Sequence, residues 1–315
     1  MLWLLAAVAA AHNPVITHDF ADPMVLKAPD GFYYAYATQR HTATGWINVQ
    51  VSRSKDLQHW ADLGDALPTK PAWADKTQDF WAPHVVTDGK RFILYFSSDN
   101  NDKQGLCLGV ATASSPAGPF KPEPTPLVGG PSFVNIDPFA FDDPKTGKHW
   151  LYWGSGFEPI RMQELTADRL QFAPGSKPAF VLWPSRDPYE VLVEGAFLVE
   201  HGGQYYLYYS GDNCCSDPAH YAVLVARGPT PAGPFVKLNY ESGGRDSAIL
   251  RANARWDGPG HNAIVTDDQG QDWIVYHAVD RKHRNEPGTK DLRRSLMIDR
   301  LIYKDGWPVV EGPTP

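Results

Sequence analysis

The chain has 315 residues, a formal net charge of −7, and aromatic side chains at 12% of positions, among them 11 Trp and 14 Tyr. The acidic balance, with no dense Lys/Arg run, argues against nucleic acid and anionic membrane surfaces as partners. A chain this rich in Trp and Tyr packs aromatic β-layers, lines a sugar site, or does both.

Residues 1–12 open with eleven apolar residues before His12. That is too short to span a bilayer. Its Ala-x-Ala spacing matches the end of a secretory signal, but the positive leading region is missing. The segment reads as a truncated signal peptide, which would place the protein outside the cytoplasm, secreted or periplasmic, or as a disordered N-terminus. From residue 13 onward five aromatic strand cores follow in chain order: "GFYYAYAT" at Gly31, "RFILYFSS" at Arg91, "HWLYWGS" at His149, "GGQYYLYYSG" at Gly202 and "DWIVYHA" at Asp272. Each is β-prone and bounded by turn residues. Helical periodicity is poor throughout, and the 27 Gly and 28 Pro are spread along the chain rather than gathered in a linker.

The strand cores recur. Their central residues Tyr36, Tyr95, Tyr152, Tyr208 and Tyr276 lie 59, 57, 56 and 68 residues apart. A second marker keeps step with the first four. "SKDLQHW", "SPAGPF", "ADRLQF" and "TPAGPF" end at Trp60, Phe120, Phe172 and Phe235, which are 24, 25, 20 and 27 residues past their tyrosines. A unit near 57 residues, holding about four antiparallel strands, has the size of a propeller blade. Five such units fill residues 13–315, so the expected fold is an all-β, five-bladed β-propeller in one domain. A pair of β-sandwiches is the competing fold, and it would not require fivefold markers.

In a propeller the first strand of each blade lines the central channel, and residues at its mouth converge. Counting back 14 or 15 residues from each tyrosine reaches Asp22, Trp81, Asp137, Glu194 and His261. Three carboxyl groups on one axis must interact, and like charges push at least one pKa upward. This suits inverting glycoside hydrolysis, where one carboxylate activates water and a protonated partner serves the leaving oxygen. A third carboxylate can keep the acid protonated, and Trp81 offers an apolar face to a sugar.

At these residues the chain resembles glycoside hydrolase family 43, over most of residues 13–315. "NPVITHDFADPMVLKAPDGFYYAYAT" is similar to that family's first-blade segment and implies Asp22 as general base. "NIDPFAFDDPKTGKHWLYWGS" implies Asp137 as the residue that tunes the acid and orients substrate. "VEGAFLVEHGGQYYLYYS" implies Glu194 as general acid. "DFWAPHVV" places Trp81 at the pocket. "GPGHNAIV" implies His261 as a channel residue beneath the substrate and a candidate ligand of a cation or its water. "RRSLMIDRLIYKDGWPVV" implies Arg294, with Arg293 next, as the arginine of the substrate region; Tyr303 in it stands where the family often has Trp. The resemblance implies an α-L-arabinofuranosidase first, then a β-xylosidase or endo-arabinanase, acting on oligosaccharide or polysaccharide of plant hemicellulose or pectic side chains. No organic cofactor is implied, and a structural calcium ion in the channel is allowed.

Bland readings compete at each position. Asp-Pro is a common turn start, so Asp22 and Asp137 could be caps. Asp19 competes as base, but its offset is wrong and it is assigned to the preceding turn. Glu194 lies among apolar residues, where an unpaired carboxyl would be expensive. His84 and His277 read equally well as structural or surface residues. Cys107, Cys214 and Cys215 have no zinc spacing. Adjacent cysteines bridge only with strain, so buried free thiols are expected. Two other classes remain: a non-catalytic sugar-binding propeller, and a phosphorolytic enzyme, which would need basic residues beside the acid.

Overall fold

Five antiparallel sheets, each with a path of four strands, follow one another along the chain. The computed structural model describes residues 12–154 and 156–315, so the signal-peptide reading falls almost wholly outside the described residues. Blade 1 holds Met24–Lys27, Tyr33–Ala37, Gln50–Ser54 and Trp60–Asp65. The first strands of blades 2 to 5 are Phe80–Thr87, Phe139–Asp142, Val193–His201 and Trp256–Thr266. Blade 4 adds the short strand Ala248–Leu250 beside its third strand, and a small hairpin, Arg40–Thr42 with Gly45–Ile47, rises from blade 1. One five-residue helix, Leu238–Ser242, is the only α-helix among the described residues. The expected five-bladed propeller is the observed fold.

The repeat has a packing cause. Tyr36, Tyr95, Tyr152, Tyr208 and Tyr276 are each 0% exposed. A buried phenol must place its hydroxyl on a partner. Tyr36 donates to the Pro116 carbonyl at 2.6 Å, Tyr95 to the Arg169 carbonyl at 2.6 Å and Tyr152 to the Pro231 carbonyl at 2.7 Å. Those carbonyls belong to the second sequence marker of the following blade. The marker's aromatic ring packs at the same boundary: Phe120 meets Tyr36 edge-on at 6.4 Å. The two markers keep step because one blade's tyrosine is hydrogen-bonded to the next blade's turn. Blade 5 lacks the marker, and there the Tyr303 hydroxyl meets that of Tyr208 at 3.1 Å.

Hydrophobic clusters sit at the boundaries between neighbouring blades rather than in one central mass. One joins blades 1 and 2 through Tyr36, Phe80 and Phe96, and another joins blades 4 and 5 through Tyr208, Trp256 and Tyr276. The ring closes between blades 5 and 1. Ile16 pairs with Leu296, Asn13 bonds the backbone of Ile298 through both side-chain ends at 2.9 Å, and Phe20 packs into the shared core.

The cysteines depart from expectation. Cys214 and Cys215 form a disulfide, while Cys107 is free and buried. The reading of three free thiols is corrected for the adjacent pair, because the turn between the second and third strands of blade 4 brings the two sulfurs into bonding range.

Candidate active site

The channel mouth is built on a repeated backbone kink. Asp22, Ala82, Asp137, Gly195 and His261 have φ of 53°, 45°, 57°, 62° and 49°. In the first four blades each stands two residues before the residue paired with the anchor tyrosine. Sequence counting therefore landed on the kink in blades 1, 3 and 5. In blades 2 and 4 it landed one residue earlier, on Trp81 and Glu194, because there only 13 residues separate kink and tyrosine. Glu194 enters the site from one residue nearer the mouth than Asp22 and Asp137.

Each kinked N–H must find an acceptor, since it points away from its own sheet. Ala82, Asp137 and His261 donate to the hydroxyls of Thr38, Ser97 and Ser210 at 3.0, 3.0 and 2.8 Å. Those hydroxyls stand two residues after the preceding blade's tyrosine. Blades 3 and 5 have Gly154 and Ala278 there, with no hydroxyl to offer. Their neighbours are stapled instead by site residues. Gly195 donates to Asp137 Oδ2 at 3.1 Å, and Asp22 donates to His277 Nδ1 at 3.1 Å. The second bond requires His277 to carry its proton on Nε2.

Four polar groups stand around the Asp22 carboxyl. Thr38 Oγ1 donates to Oδ2 at 2.6 Å. His261 Nδ1, His277 Nδ1 and Arg294 Nη1 lie 3.4, 3.5 and 3.7 Å from Oδ1. Burial alone would raise the Asp22 pKa, but the Arg294 guanidinium and the Thr38 hydroxyl oppose it, and the carboxyl lies well below the usual range. Burial pushes His277 down to about 3 and also lowers His261. With both imidazoles neutral at neutral pH, Arg294 is the standing positive charge against Asp22. Arg294 is itself anchored by Asp19, whose Oδ1 accepts its backbone N–H at 2.8 Å and lies 3.6 Å from Nε. Asp19 thus serves the arginine rather than a turn. Arg294 Nη1 also contacts Cys215 Sγ at 3.6 Å, which puts the disulfide loop on the site wall.

Asp137 and Glu194 show the opposite balance. Both are buried. Burial raises the Asp137 pKa well above its ordinary value, and the negative charges of Glu194 and Asp22 push the same way against the Gly195 N–H. Asp137 is therefore pushed toward its protonated form where Asp22 is held as the anion. Glu194 Oε1 accepts from the Tyr221 hydroxyl at 2.7 Å. Trp81 is half-buried beside Ala82, with its ring 6.4 Å from that of exposed Phe133. Arg293 turns away and donates to the His283 carbonyl at 2.9 Å, leaving Arg294 as the arginine of the site. His84 is buried between blades, with Nε2 3.0 Å from the Ala140 carbonyl.

A family model described as glycosyl hydrolases family 43 matches residues 11–308. The chain belongs to that family. This family 43 chain is 26% identical to the probable arabinan endo-1,5-α-L-arabinosidase A of Aspergillus flavus, over 92% of its own length and 90% of the relative's. It is also 26% identical to the extracellular exo-α-(1→5)-L-arabinofuranosidase of Cellvibrio japonicus, over 98% and 90%. A crystal structure of a thermostable family-43 glycoside hydrolase superposes with a TM-score of 0.79 at 30% identity, covering 96% of each chain.

Three residues of this family 43 site escaped sequence reasoning. Thr38 had a readable signal, since Thr38, Ser97 and Ser210 recur two residues after their tyrosines. His277 directly follows an anchor, but nothing marked its ring as turned toward Asp22. Tyr221 lies in a third strand, where no count from a repeat leads. A calcium ion takes six to eight oxygen ligands. Among the described residues no group of three or more His, Cys, Asp or Glu is arranged to hold a metal, and His261 already faces Asp22. The donor set is too poor to hold calcium by protein side chains alone, and no chemical step is routed through one. No helix among the described residues is long and apolar enough to cross a membrane.

Proposed function

We propose that the protein is an inverting hydrolase of α-1,5-linked L-arabinan. The observation that carries this reading is the contrast between two carboxyl environments: Arg294 and Thr38 stand against Asp22 and favour its anion, while Asp137, buried and near the negative charge of Glu194, is pushed toward its protonated form. Opposed protonation of neighbouring carboxyls separates a base from an acid. In this mechanism Asp22 takes a proton from water as the water oxygen bonds to the anomeric carbon. Glu194 gives its proton to the departing glycosidic oxygen. Asp137 keeps Glu194 protonated before attack and bonds the Gly195 N–H beside it. Trp81, His261 and Arg294 shape the sugar site.

Arabinan is favoured over xylan because the similar curated proteins carry arabinan-cleaving names. Those names include both exo- and endo-acting enzymes, so α-L-arabinofuranosidase and endo-arabinanase both fit the site. Endo action is supported by the mouth loops, which open on the same face as the carboxylates and carry exposed rings at Trp46, Phe133 and Phe157. Such rings suit a chain that extends past the reacting sugar. Export fits a polymeric substrate and the extracellular label of the Cellvibrio relative.

The test is digestion of debranched arabinan, with products resolved by chromatography and the first-formed anomer followed by NMR. A ladder of oligosaccharides with inverted configuration supports the endo reading, and arabinose or one short oligomer alone supports exo action. Retained configuration, activity confined to xylosides, or strict dependence on phosphate would each overturn it.

A further inference from the structure

A general acid must do more than hold a proton: it must hold it on the oxygen that faces the leaving group. One carboxyl oxygen of Glu194 is held by a buried phenol. Oε1 accepts the hydroxyl of Tyr221 at 2.7 Å. Tyr221 is 1% exposed and belongs to the third strand of blade 4, His220–Gly228, not to a channel-lining strand. Its ring reaches the channel only because blade 5 makes room. A Cβ on Gly260 would lie 2.0 Å from Tyr221 Cδ1, and one on Gly258 would lie 2.6 Å from the Ala219 Cβ. Gly260 thus leaves the slot for this ring, and Gly258 lets the same run pass close to Ala219. The imidazole of His277 lies parallel to the ring, with centroids 5.8 Å apart and planes within 8°.

The surroundings leave the phenol one role. Burial and the charges of Glu194, Asp137 and Asp22 raise its pKa far above neutrality, so it stays protonated. It has one proton to donate, and Glu194 Oε1 receives it. That bond fixes one oxygen of the carboxyl and with it the plane of the group.

We propose that Tyr221 is a positioning residue that holds the Glu194 carboxyl in the orientation from which it protonates the glycosidic oxygen. This rests on the reading of Glu194 as general acid. In the step, the proton leaves the Glu194 carboxyl for the glycosidic oxygen as the anomeric C–O bond breaks. Water supplies the new C–O bond and yields its proton to Asp22. The Tyr221 hydroxyl keeps its own proton and then stabilises the Glu194 carboxylate that remains. The other charged or titratable groups around this pair are Asp137, Asp22, His261, His277 and Arg294, and none of them is altered in the test.

The test is Tyr221→Phe, which retains the ring in its slot and removes only the hydroxyl. On arabinan, whose leaving group needs protonation, kcat falls about 10- to 100-fold with KM nearly unchanged. On a dinitrophenyl α-L-arabinofuranoside, whose leaving group needs no acid, the loss is under about 3-fold. Loss of a donor to the carboxylate raises the Glu194 pKa, so the alkaline limb of the pH–rate profile moves to higher pH. In a Glu194→Gln background the same substitution has no further effect on arabinan. Equal losses on both substrates, an unmoved alkaline limb, or a full effect in the Glu194→Gln background would each overturn the proposal while leaving the acid assignment intact. Wild-type activity of Glu194→Gln on arabinan would remove the acid assignment itself, and this proposal with it.

Discussion

Midway down the blades, Tyr36, Tyr95, Tyr152, Tyr208 and Tyr276 are all fully buried; at the mouth, Asp22, Ala82, Asp137, Gly195 and His261 share a backbone shape and nothing else. The tyrosines repeat because every blade must bury the same kind of surface, and each hydroxyl finds a partner: a marker carbonyl for blades 1 to 3, Tyr303 for blade 4 and Asp299 for blade 5. The kinks repeat because every first strand must turn into the channel. A left-handed φ is tolerated best by Gly, Asp, Asn and His, so the fold already selects short polar side chains at the mouth. The bland reading of Asp22 and Asp137 as turn residues and the chemical one are therefore compatible. Three of the kinks are closed by a hydroxyl of the preceding blade. The two closed by Asp137 and His277 flank Glu194 and Asp22, and there the fold and the site share atoms. The contrast predicts that mouth substitutions act on rate and anchor substitutions on stability.

The sharpest break of that contrast is Asp22→Asn. It removes the carboxylate proposed as base while leaving a side chain that can still accept from Thr38. An expected loss of about 10²–10⁴ in kcat follows from removing a positioned base, with a melting temperature equal to or above the wild type. A fall in stability as large as that of a core substitution would show that Asp22 is chiefly structural.

The second prediction concerns buried imidazoles on each side of the contrast. Burial pushes both His84, at the boundary of blades 2 and 3, and His277, at the mouth, to about 3. Unfolded, each takes up a proton near pH 6.5. Their contribution to stability is complete above pH 6.5 and is lost as pH falls toward 3, because the unfolded state then binds more protons. Each histidine forfeits roughly 2 kcal/mol between pH 6.5 and 5. The raised pKa of Asp137 works in the opposite direction, so the clean measure is a difference. Urea unfolding of His84→Gln should show about 2 kcal/mol less pH dependence over that interval than the wild type. Parallel pH profiles for the two proteins would contradict a neutral, buried His84.

Thr38 and Ser210 refine the comparison within the mouth. Both staple the next blade's kink, but only Thr38 also donates to a carboxylate. Thr38→Val and Ser210→Ala should each lower stability by about 1–3 kcal/mol, since a buried N–H loses its acceptor. Thr38→Val alone should also reduce kcat, by about 10-fold, roughly the effect of one hydrogen bond to a charged group. Equal kcat for the two variants would mean that Thr38 does not set the orientation of Asp22.

The parts legible in the sequence are those set by burial and by turns. Tyr95 and its counterparts announced the blades because a boundary core recurs with the blade. "SPAGPF" and "TPAGPF" announced them again because their carbonyls answer the tyrosine hydroxyls. Asp22, Asp137 and His261 were found by counting because the kink lies on the channel strand near the ruler. Trp81 and Glu194 were reached one residue from the kink, since the stretch between kink and tyrosine is not constant in length. Tyr221 was invisible because its contact with Glu194 crosses from a third strand through a slot left by Gly260, and no local pattern encodes that approach. The Cys214–Cys215 bond was misjudged because adjacency was taken as a bar to bridging, whereas the local turn decides it.

The smallest expected effect tests the anchor level itself. Tyr95→Phe keeps the ring among Ile93, Leu108 and Leu151 and removes only the bond from its hydroxyl to the Arg169 carbonyl. That carbonyl lies in the turn at the far end of blade 3 from the carboxylates, so no group of the mouth moves. The lost bond should lower stability by about 1 kcal/mol, a shift of roughly 1.5 °C in melting temperature for a chain of this length. Both kcat and KM on arabinan should match the wild type. Unchanged stability would mean that the Tyr95 bond adds nothing beyond ring burial, and that the two sequence markers keep step for packing reasons alone. A loss of kcat at normal stability would show that boundary hydroxyls reach the chemistry, and the separation between the two levels of the blade would fail.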